Sequence, residues 1–123
     1  QHTVNVSLIE ANIFEYEPNQ KFDLIVSNPP YVLESEKMQM HKNVLDYEPS
    51  LALFVADQDP LKYYERITEI AQQYLNPNGF LYFEINESFP AQTQALLAKH
   101  SFEHIQIIQD FKGKNRFVSA QKI

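Results

Sequence analysis

The run Phe22-Asp23-Leu24-Ile25-Val26-Ser27 halts at Asn28-Pro29-Pro30-Tyr31, and no other stretch constrains the chain as tightly. Its near-continuous apolar residues read as a central strand of parallel-sheet type, covered on both faces. Proline has no N–H to give to a sheet and a fixed φ, so the strand ends where Pro29-Pro30 begins. An amide side chain and a stiff extended segment are thereby delivered to the carboxyl end of a strand, where open α/β sheets bind ligands.

Those residue types suit methylation of a planar nitrogen. A carboxamide or exocyclic amino nitrogen is a poor nucleophile because its lone pair is delocalised, so a site must hold both N–H groups and aim the nitrogen at an electrophile. Asn28 offers its side-chain oxygen as one acceptor, and Pro29 offers a carbonyl that no helix consumes. Tyr31 adds a flat face for stacking. Orientation and charge stabilisation then lower the barrier as the nitrogen becomes cationic. Asn-Pro-Pro is also a good strand-ending turn, and that structural reading stays open beside the chemical one.

Charge narrows the choice of substrate. Residues 1–60 carry ten Asp or Glu against three Lys, whereas residues 61–123 carry six acids against seven Lys or Arg, within a net charge of −6. An enzyme acting on nucleic acid wants positive potential beside its reactive group, so an acidic half around Asn28 favours a protein substrate over DNA or RNA. With 123 residues and 44% hydrophobic content, one domain with one core is expected. There is no cysteine, hence no disulfide framework and no Cys-based metal site, which is compatible with a reducing cytoplasm. Neither a membrane-spanning apolar stretch nor a signal-peptide pattern is present.

Hydrophobic periodicity supplies the remaining elements. Strands are expected at about 4–9, 22–27, 80–85, 104–109 and 116–122, the last two forming an antiparallel hairpin joined by Asp110 to Asn115. Leu61, Tyr64, Ile67, Ala71, Tyr74 and Leu75 recur at helical spacing after Pro60, and the tyrosines are assigned to packing. Asn76-Pro77-Asn78-Gly79 is expected to stop that helix by removing a donor and permitting positive φ. A second helix spans Ala91 to Lys99, with Ala95, Leu96 and Ala98 near its buried face. Residues 32–59 show no clean period and read as a long excursion with one short helix near Glu36 to His41. His100 and His104 have an i, i+4 spacing, but no third ligand is near and a metal site is not favoured.

Taken in order, Phe22 to Tyr31, Asp46-Tyr47-Glu48-Pro49 with Ala52-Leu53, Leu75-Asn76-Pro77-Asn78-Gly79 leading into Phe80 to Ile85, and Asp110 with Gly113 and Arg116 resemble a known family. It is that of the S-adenosylmethionine-dependent protein-(glutamine-N5) methyltransferases of translation release factors, the HemK/PrmC family. The resemblance implies an α/β, partial Rossmann-like domain with a mostly parallel sheet ending in an antiparallel hairpin. It implies S-adenosylmethionine as methyl donor, a peptide chain release factor as protein partner and a cytoplasmic location. Catalytic roles fall on Asn28, Pro29, Pro30 and Tyr31, with Asn28, Pro29, Tyr31 and Glu48 on the substrate side. Asn12 and Asn28 face the cofactor; Asn12 stands where the family has an acidic residue near the adenine, and as an amide it brings no charge.

The family also carries a glycine-rich turn after its first strand, and this chain has two glycines in all, Gly79 and Gly113, neither in a G-x-G pattern. The expectation is therefore the carboxyl-terminal part of the catalytic domain over residues 1–123, lacking that turn and the helical domain ahead of it. Such a chain is expected to bind S-adenosylmethionine weakly or not at all and to be inactive alone. The strand at 4–9 would lose its usual neighbours and would shift beside the Phe22 strand, be disordered, or pair with another copy. Two alternatives remain: a fragment of a DNA adenine or RNA guanine amino methyltransferase, which shares the tetrapeptide, and a non-catalytic binding module.

Overall fold

The computed structural model describes residues 5–30, 32–33, 54–55, 60–85 and 88–123. Chain order gives β1 (Phe22–Ser27), β2 (Val32–Leu33), β3 (Phe54–Val55), α1 (Lys62–Tyr74), β4 (Leu75–Glu84), α2 (Pro90–Lys99), β5 (Phe102–Gln109) and β6 (Asn115–Lys122). β1, β4, β6 and β5 form one open sheet in that spatial order, and β2 pairs with β3 in a separate two-stranded sheet.

The elements follow from local sequence. In α1, Tyr64, Ile67, Thr68, Ile70 and Ala71 fall on one buried face, and Glu65 sits in the first turn where the helix dipole favours an acid. The Thr68 hydroxyl donates to the Tyr64 carbonyl at 2.6 Å, which lets a polar side chain lie buried. In α2, Pro90 occupies the first helical position, where its missing N–H costs nothing. Its buried face is Thr93 and Leu97 rather than the expected Ala95, Leu96 and Ala98; Ala95 and Ala98 are exposed. The Thr93 hydroxyl satisfies itself on the Phe89 carbonyl at 2.9 Å, which allows that face to turn inward.

Sheet direction departs from expectation. Only the β1–β4 pairing of the four-stranded sheet is parallel; β4–β6 and β5–β6 are antiparallel, so the sheet is mostly antiparallel. The cause is the final hairpin. A short turn forces β6 to reverse against β5, and because β6 inserts between β4 and β5 it contributes both antiparallel pairings. Among the described residues β1 lies at the edge of the sheet rather than at its centre, with Leu24 and Val26 exposed by 54% and 70%. Residues 5–10 form no strand, and Val6, Leu8 and Ile9 are exposed, because alternation alone does not make a strand without a ladder partner. The expected helix near Glu36 to His41 lies outside the described residues.

The helix-stopping tetrapeptide also behaves differently. Leu75 already has extended geometry (ψ 140°), and β4 starts there. Phe22 pairs with Leu75 but Leu24 pairs with Phe80, so Asn76 to Gly79 form an irregularity in the ladder. Asn78, not Gly79, takes the positive φ, at 69°. Gly79 is required for space: a Cβ there would lie 2.9 Å from the carbonyl oxygens of both Asn76 and Asp23.

One core binds the helices to one sheet face. Tyr64, Ile67 and Ala71 of α1 and Leu97 of α2 pack with Leu81, Phe83, Val118 and Ala120 of the strands. The Tyr64 ring meets Phe83 edge-on at 5.0 Å, and its hydroxyl donates to the Glu84 carbonyl at 2.8 Å.

Candidate active site

β1 ends at Ser27, beside Phe83 of β4, and the chain leaves the sheet edge through Asn28, Pro29 and Pro30. Pro29 is buried, Pro30 half-buried and Asn28 exposed. All three line an open groove of about 1040 Å³, large enough for a nucleoside-sized ligand. No side-chain hydrogen bond engages Asn28 among the described residues, which leaves its amide available to a ligand. Tyr31 and Glu48, the other two residues singled out on the substrate side, lie outside the described residues.

The facing wall is the turn at residues 10–14, where Glu10, Ala11, Asn12, Ile13 and Phe14 line the groove. Asn12 organises it locally. Its Oδ1 accepts from the Phe14 amide at 3.0 Å, and its carbonyl accepts from the Glu15 and Tyr16 amides, each at 2.9 Å. The turn uses one lone pair of Asn12 Oδ1 and leaves the side-chain NH2 without a partner among the described residues.

Arg66 of α1 fixes that turn to the body. Its Nε donates to the Ile13 carbonyl at 3.0 Å, and Nη2 donates to the Tyr16 carbonyl at 2.9 Å and to Glu17 Oε1 at 3.2 Å. The Tyr74 hydroxyl donates to the second oxygen of Glu17 at 3.1 Å. Desolvation and the hydrogen bond to Glu17 push the Tyr74 pKa up from its ordinary value.

The first turn of α1 closes the groove with Lys62 and Tyr63, and Ile67 lies one turn on. Lys62 Nζ stands 5.6 Å from the Phe14 ring centroid and 5.3 Å from that of Tyr63, and the two rings are 5.1 Å apart. A cation over two aromatic faces is held by their quadrupoles. Phe14, Lys62, Tyr63 and Arg66 were not marked by sequence reasoning. Apart from Tyr63 beside Lys62, their partners are some fifty residues away, and for Arg66 two of the three acceptors are backbone carbonyls, which no side-chain pattern announces.

The other marked residues lie elsewhere. Asp110 and Gly113 lie in the turn between β5 and β6, and Arg116 is the second residue of β6. His100 ends α2 with Nδ1 3.1 Å from Gln72 Oε1, and among the described residues no three His, Cys, Asp or Glu side chains converge as metal ligands. Gly79 lies within β4, just before Phe80, and Gly113 lies in the hairpin turn; neither glycine lines the groove. Among the described residues the groove has walls of a size for a nucleoside and a substrate amide and no glycine in its lining, so they fit S-adenosylmethionine in part.

A family model described as Eco57I restriction-modification methylase matches residues 2–117. The chain belongs to that family. It is homologous to release factor glutamine methyltransferases: the protein of that name from Flavobacterium psychrophilum is 50% identical over 118 residues, covering 95% of this chain and 41% of the relative. The Bacteroides thetaiotaomicron protein of the same name is 46% identical over 101 residues, covering 82% of this chain and 36% of the relative. The chain thus spans about two fifths of the length of these curated relatives. The crystal structure of a release factor-specific protein-(glutamine-N5) methyltransferase from Alicyclobacillus acidocaldarius superposes with a TM-score of 0.54 at 18% identity, over 85% of this chain and 50% of that one. That likeness establishes an open α/β methyltransferase-like fold. Family membership implies dependence on S-adenosylmethionine. Among the described residues no helix is long and apolar enough to cross a membrane.

Proposed function

We propose that this chain forms the substrate-side half of an enzyme that moves a methyl group from S-adenosylmethionine to the side-chain amide nitrogen of a glutamine in a peptide chain release factor. The observation that carries the reading is Asn28-Pro29-Pro30 lining a groove at the carboxyl end of β1, with Asn28 free to accept. When bound, S-adenosylmethionine would supply an electrophilic methyl group whose bonding pair stays with sulfur, and the amide nitrogen would form the new N–C bond. The nitrogen becomes cationic and sheds one proton to water. Asn28 Oδ1 and the Pro29 carbonyl accept from the two N–H groups, so they orient the lone pair and stabilise the developing charge. Pro30 stiffens the segment, Tyr31 stacks on the amide plane, and Glu48 assists in binding the substrate. Asn12 faces the adenine.

In this reading residues 1–123 are the carboxyl-terminal part of the catalytic domain and bind S-adenosylmethionine weakly or not at all alone, because no glycine borders the groove. The release factor is the protein partner, and the site of action is the cytoplasm, where translation terminates. A second reading has one observation in its favour: the matching family model is named for a restriction-modification methylase, which points to a nucleobase amino group. The acidic first half of the chain and the relatives' names favour glutamine.

The chain joined behind the amino-terminal portion of the Flavobacterium psychrophilum relative provides the test. Methyl transfer to an intact release factor is expected, with none to duplex DNA, and Asn28→Ala should lower kcat by about 10²-fold or more. Transfer to DNA instead, or full activity in the variant, rejects the reading.

A further inference from the structure

The turn between β5 and β6 is built more firmly than its exposure requires. Asp110 Oδ1 accepts from the backbone amides of Lys112 and Lys114 at 2.8 and 3.0 Å, and Oδ2 accepts from Arg116 Nε at 3.2 Å. The Asp110 amide donates to the Lys114 carbonyl at 2.8 Å, the Gly113 amide donates to the Asp110 carbonyl at 3.0 Å, and Gly113 supplies the positive φ of 83° that closes the turn. At its apex stands Phe111, 96% exposed, with Lys112 Nζ 6.0 Å from the ring centroid. A large apolar side chain held outside a rigid turn stabilises nothing within the described residues. The backbone that carries it, however, is already ordered by these hydrogen bonds, which lowers the cost of presenting the ring to a partner.

Its placement says what it can meet. β5 runs parallel to β4 and β1, since both β5 and β4 are antiparallel to β6. The turn after Gln109 therefore projects from the same end of the sheet as Asn28. In the order β1-β4-β6-β5 it sits two to three strand spacings from β1, roughly 10–15 Å along the sheet end. A small ligand in the groove cannot touch both; a folded protein presenting one side chain to Asn28 covers both.

We propose that the Asp110–Arg116 turn is a second docking point for the protein substrate, with Phe111 entering an apolar hollow and Lys112 pairing with a carboxylate at its rim. This rests on the proposed function above and adds to it that the enzyme reads a folded surface as well as a glutamine. A protein is favoured over RNA on the charge of the sequence, since residues 1–60 carry ten acids against three Lys, a balance unsuited to a phosphate backbone.

The test has two arms. In the first, the 123-residue chain is titrated with an intact bacterial release factor and followed by backbone amide NMR. Shifts or broadening at Phe111 to Lys114 are expected, and Phe111→Ser with Lys112→Glu should weaken binding about tenfold. Undisturbed turn resonances, or equal affinity in the variant, overturn the proposal, as does a response to a single-stranded RNA oligonucleotide but not to the protein. In the second arm, the joined enzyme is assayed on the intact release factor and on a short peptide carrying its glutamine. The variant should raise KM about tenfold for the protein and leave kcat and the peptide kinetics unchanged. Equal effects on both substrates, or none on the protein, remove the docking role while leaving the glutamine reading intact. Methylation of DNA in place of either substrate removes the glutamine reading and the docking role with it.

Discussion

Leu81 and Phe83 of β4 are 0% and 1% exposed, whereas Phe80 and Tyr82, their neighbours on the same strand, each keep 37% of their surface accessible. The register places the two exposed rings on one face with Leu24, Val26, Phe117 and Ile108, and the two buried residues on the other with Val118 and Ala120. The difference follows from chain direction. α1 and α2 each connect strands that run parallel and that step the same way across the sheet, so right-handed crossovers lay both helices on one face. The opposite face has the apolar composition of a sheet covered on both sides, and among the described residues no helix packs on it.

Truncation on each face should break or confirm that contrast most plainly. Phe83→Ala removes a ring that meets Tyr64 edge-on in the core, and should cost about 3–5 kcal/mol in denaturant unfolding. Tyr82→Ala should cost under about 1 kcal/mol. Comparable losses at the two positions would mean that the outer face is covered in solution, and the contrast would fall.

Gly79 probes where the two faces start. The ladder irregularity before Phe80 sets which of the β4 residues turn inward, and a Cβ added to Gly79 within it would meet two carbonyl oxygens at 2.9 Å. Both are backbone atoms, so neither can swing aside, and Gly79→Ala should cost about 1–3 kcal/mol. A neutral substitution would show that β4 can slide relative to β1 without disturbing the core. The same measurement on Asn78→Gly, which relieves a positive φ of 69°, should show little loss or a small gain.

Local pattern made some of this legible and geometry at a distance did not. β1, α1 and the β5–β6 hairpin were readable because their apolar spacing, prolines and turn residues act within a few positions. The place of β1 in the sheet was not, since a run such as Leu24-Ile25-Val26 looks the same at an edge as at the centre; only its neighbours differ. Residues 5–10 failed for the same reason, as Val6 and Leu8 alternate like a strand but find no ladder partner. Sheet direction was missed because β6 inserts between β4 and β5, a choice that no local pattern records. At the site, the position of Asn28 at a strand's carboxyl end was readable, while the wall made by Phe14, Lys62 and Tyr63 depends on a crossover bringing α1 against the Asn12 turn.

Arg66 ties that wall to the covered face and should show an intermediate effect. Arg66→Leu deletes two bonds to backbone carbonyls from a side chain 19% exposed, for a loss of about 1–2 kcal/mol after discounting for partial solvation. Glu17→Gln keeps those bonds, and what it removes is the charge of a carboxylate 61% exposed and one of the two oxygens that serve Arg66 and Tyr74, so its cost should be under about 1 kcal/mol. Hydrogen exchange at the Glu15 and Tyr16 amides, which bond to the Asn12 carbonyl, should accelerate in the first variant and not in the second. Acceleration in both would make the ion pair, rather than the carbonyl contacts, the fastening.

The smallest effect belongs to the exposed hairpin, where no core amplifies it. The Lys114 amide, then the Lys112 amide and the Arg116 guanidinium, hold the Asp110 carboxyl below its ordinary value of 3.8. A folded pKa below the unfolded one means that the unfolded chain binds the proton more readily, so this stabilisation is complete above the ordinary aspartate range and is lost as pH falls through the folded value. Acidification should therefore loosen the turn before the β4 core: the Lys112 and Lys114 amide signals should titrate together with a midpoint under 3.8, while those of Leu81 and Phe83 stay fixed. Asp110→Asn retains an oxygen for the two amides but cannot titrate, so the acid response of both lysine amides should vanish. A response that survives the substitution would assign the acid sensitivity of this end of the sheet to another carboxyl. A response shared by Leu81 and Phe83 would mean that the hairpin and the covered face unfold as one unit.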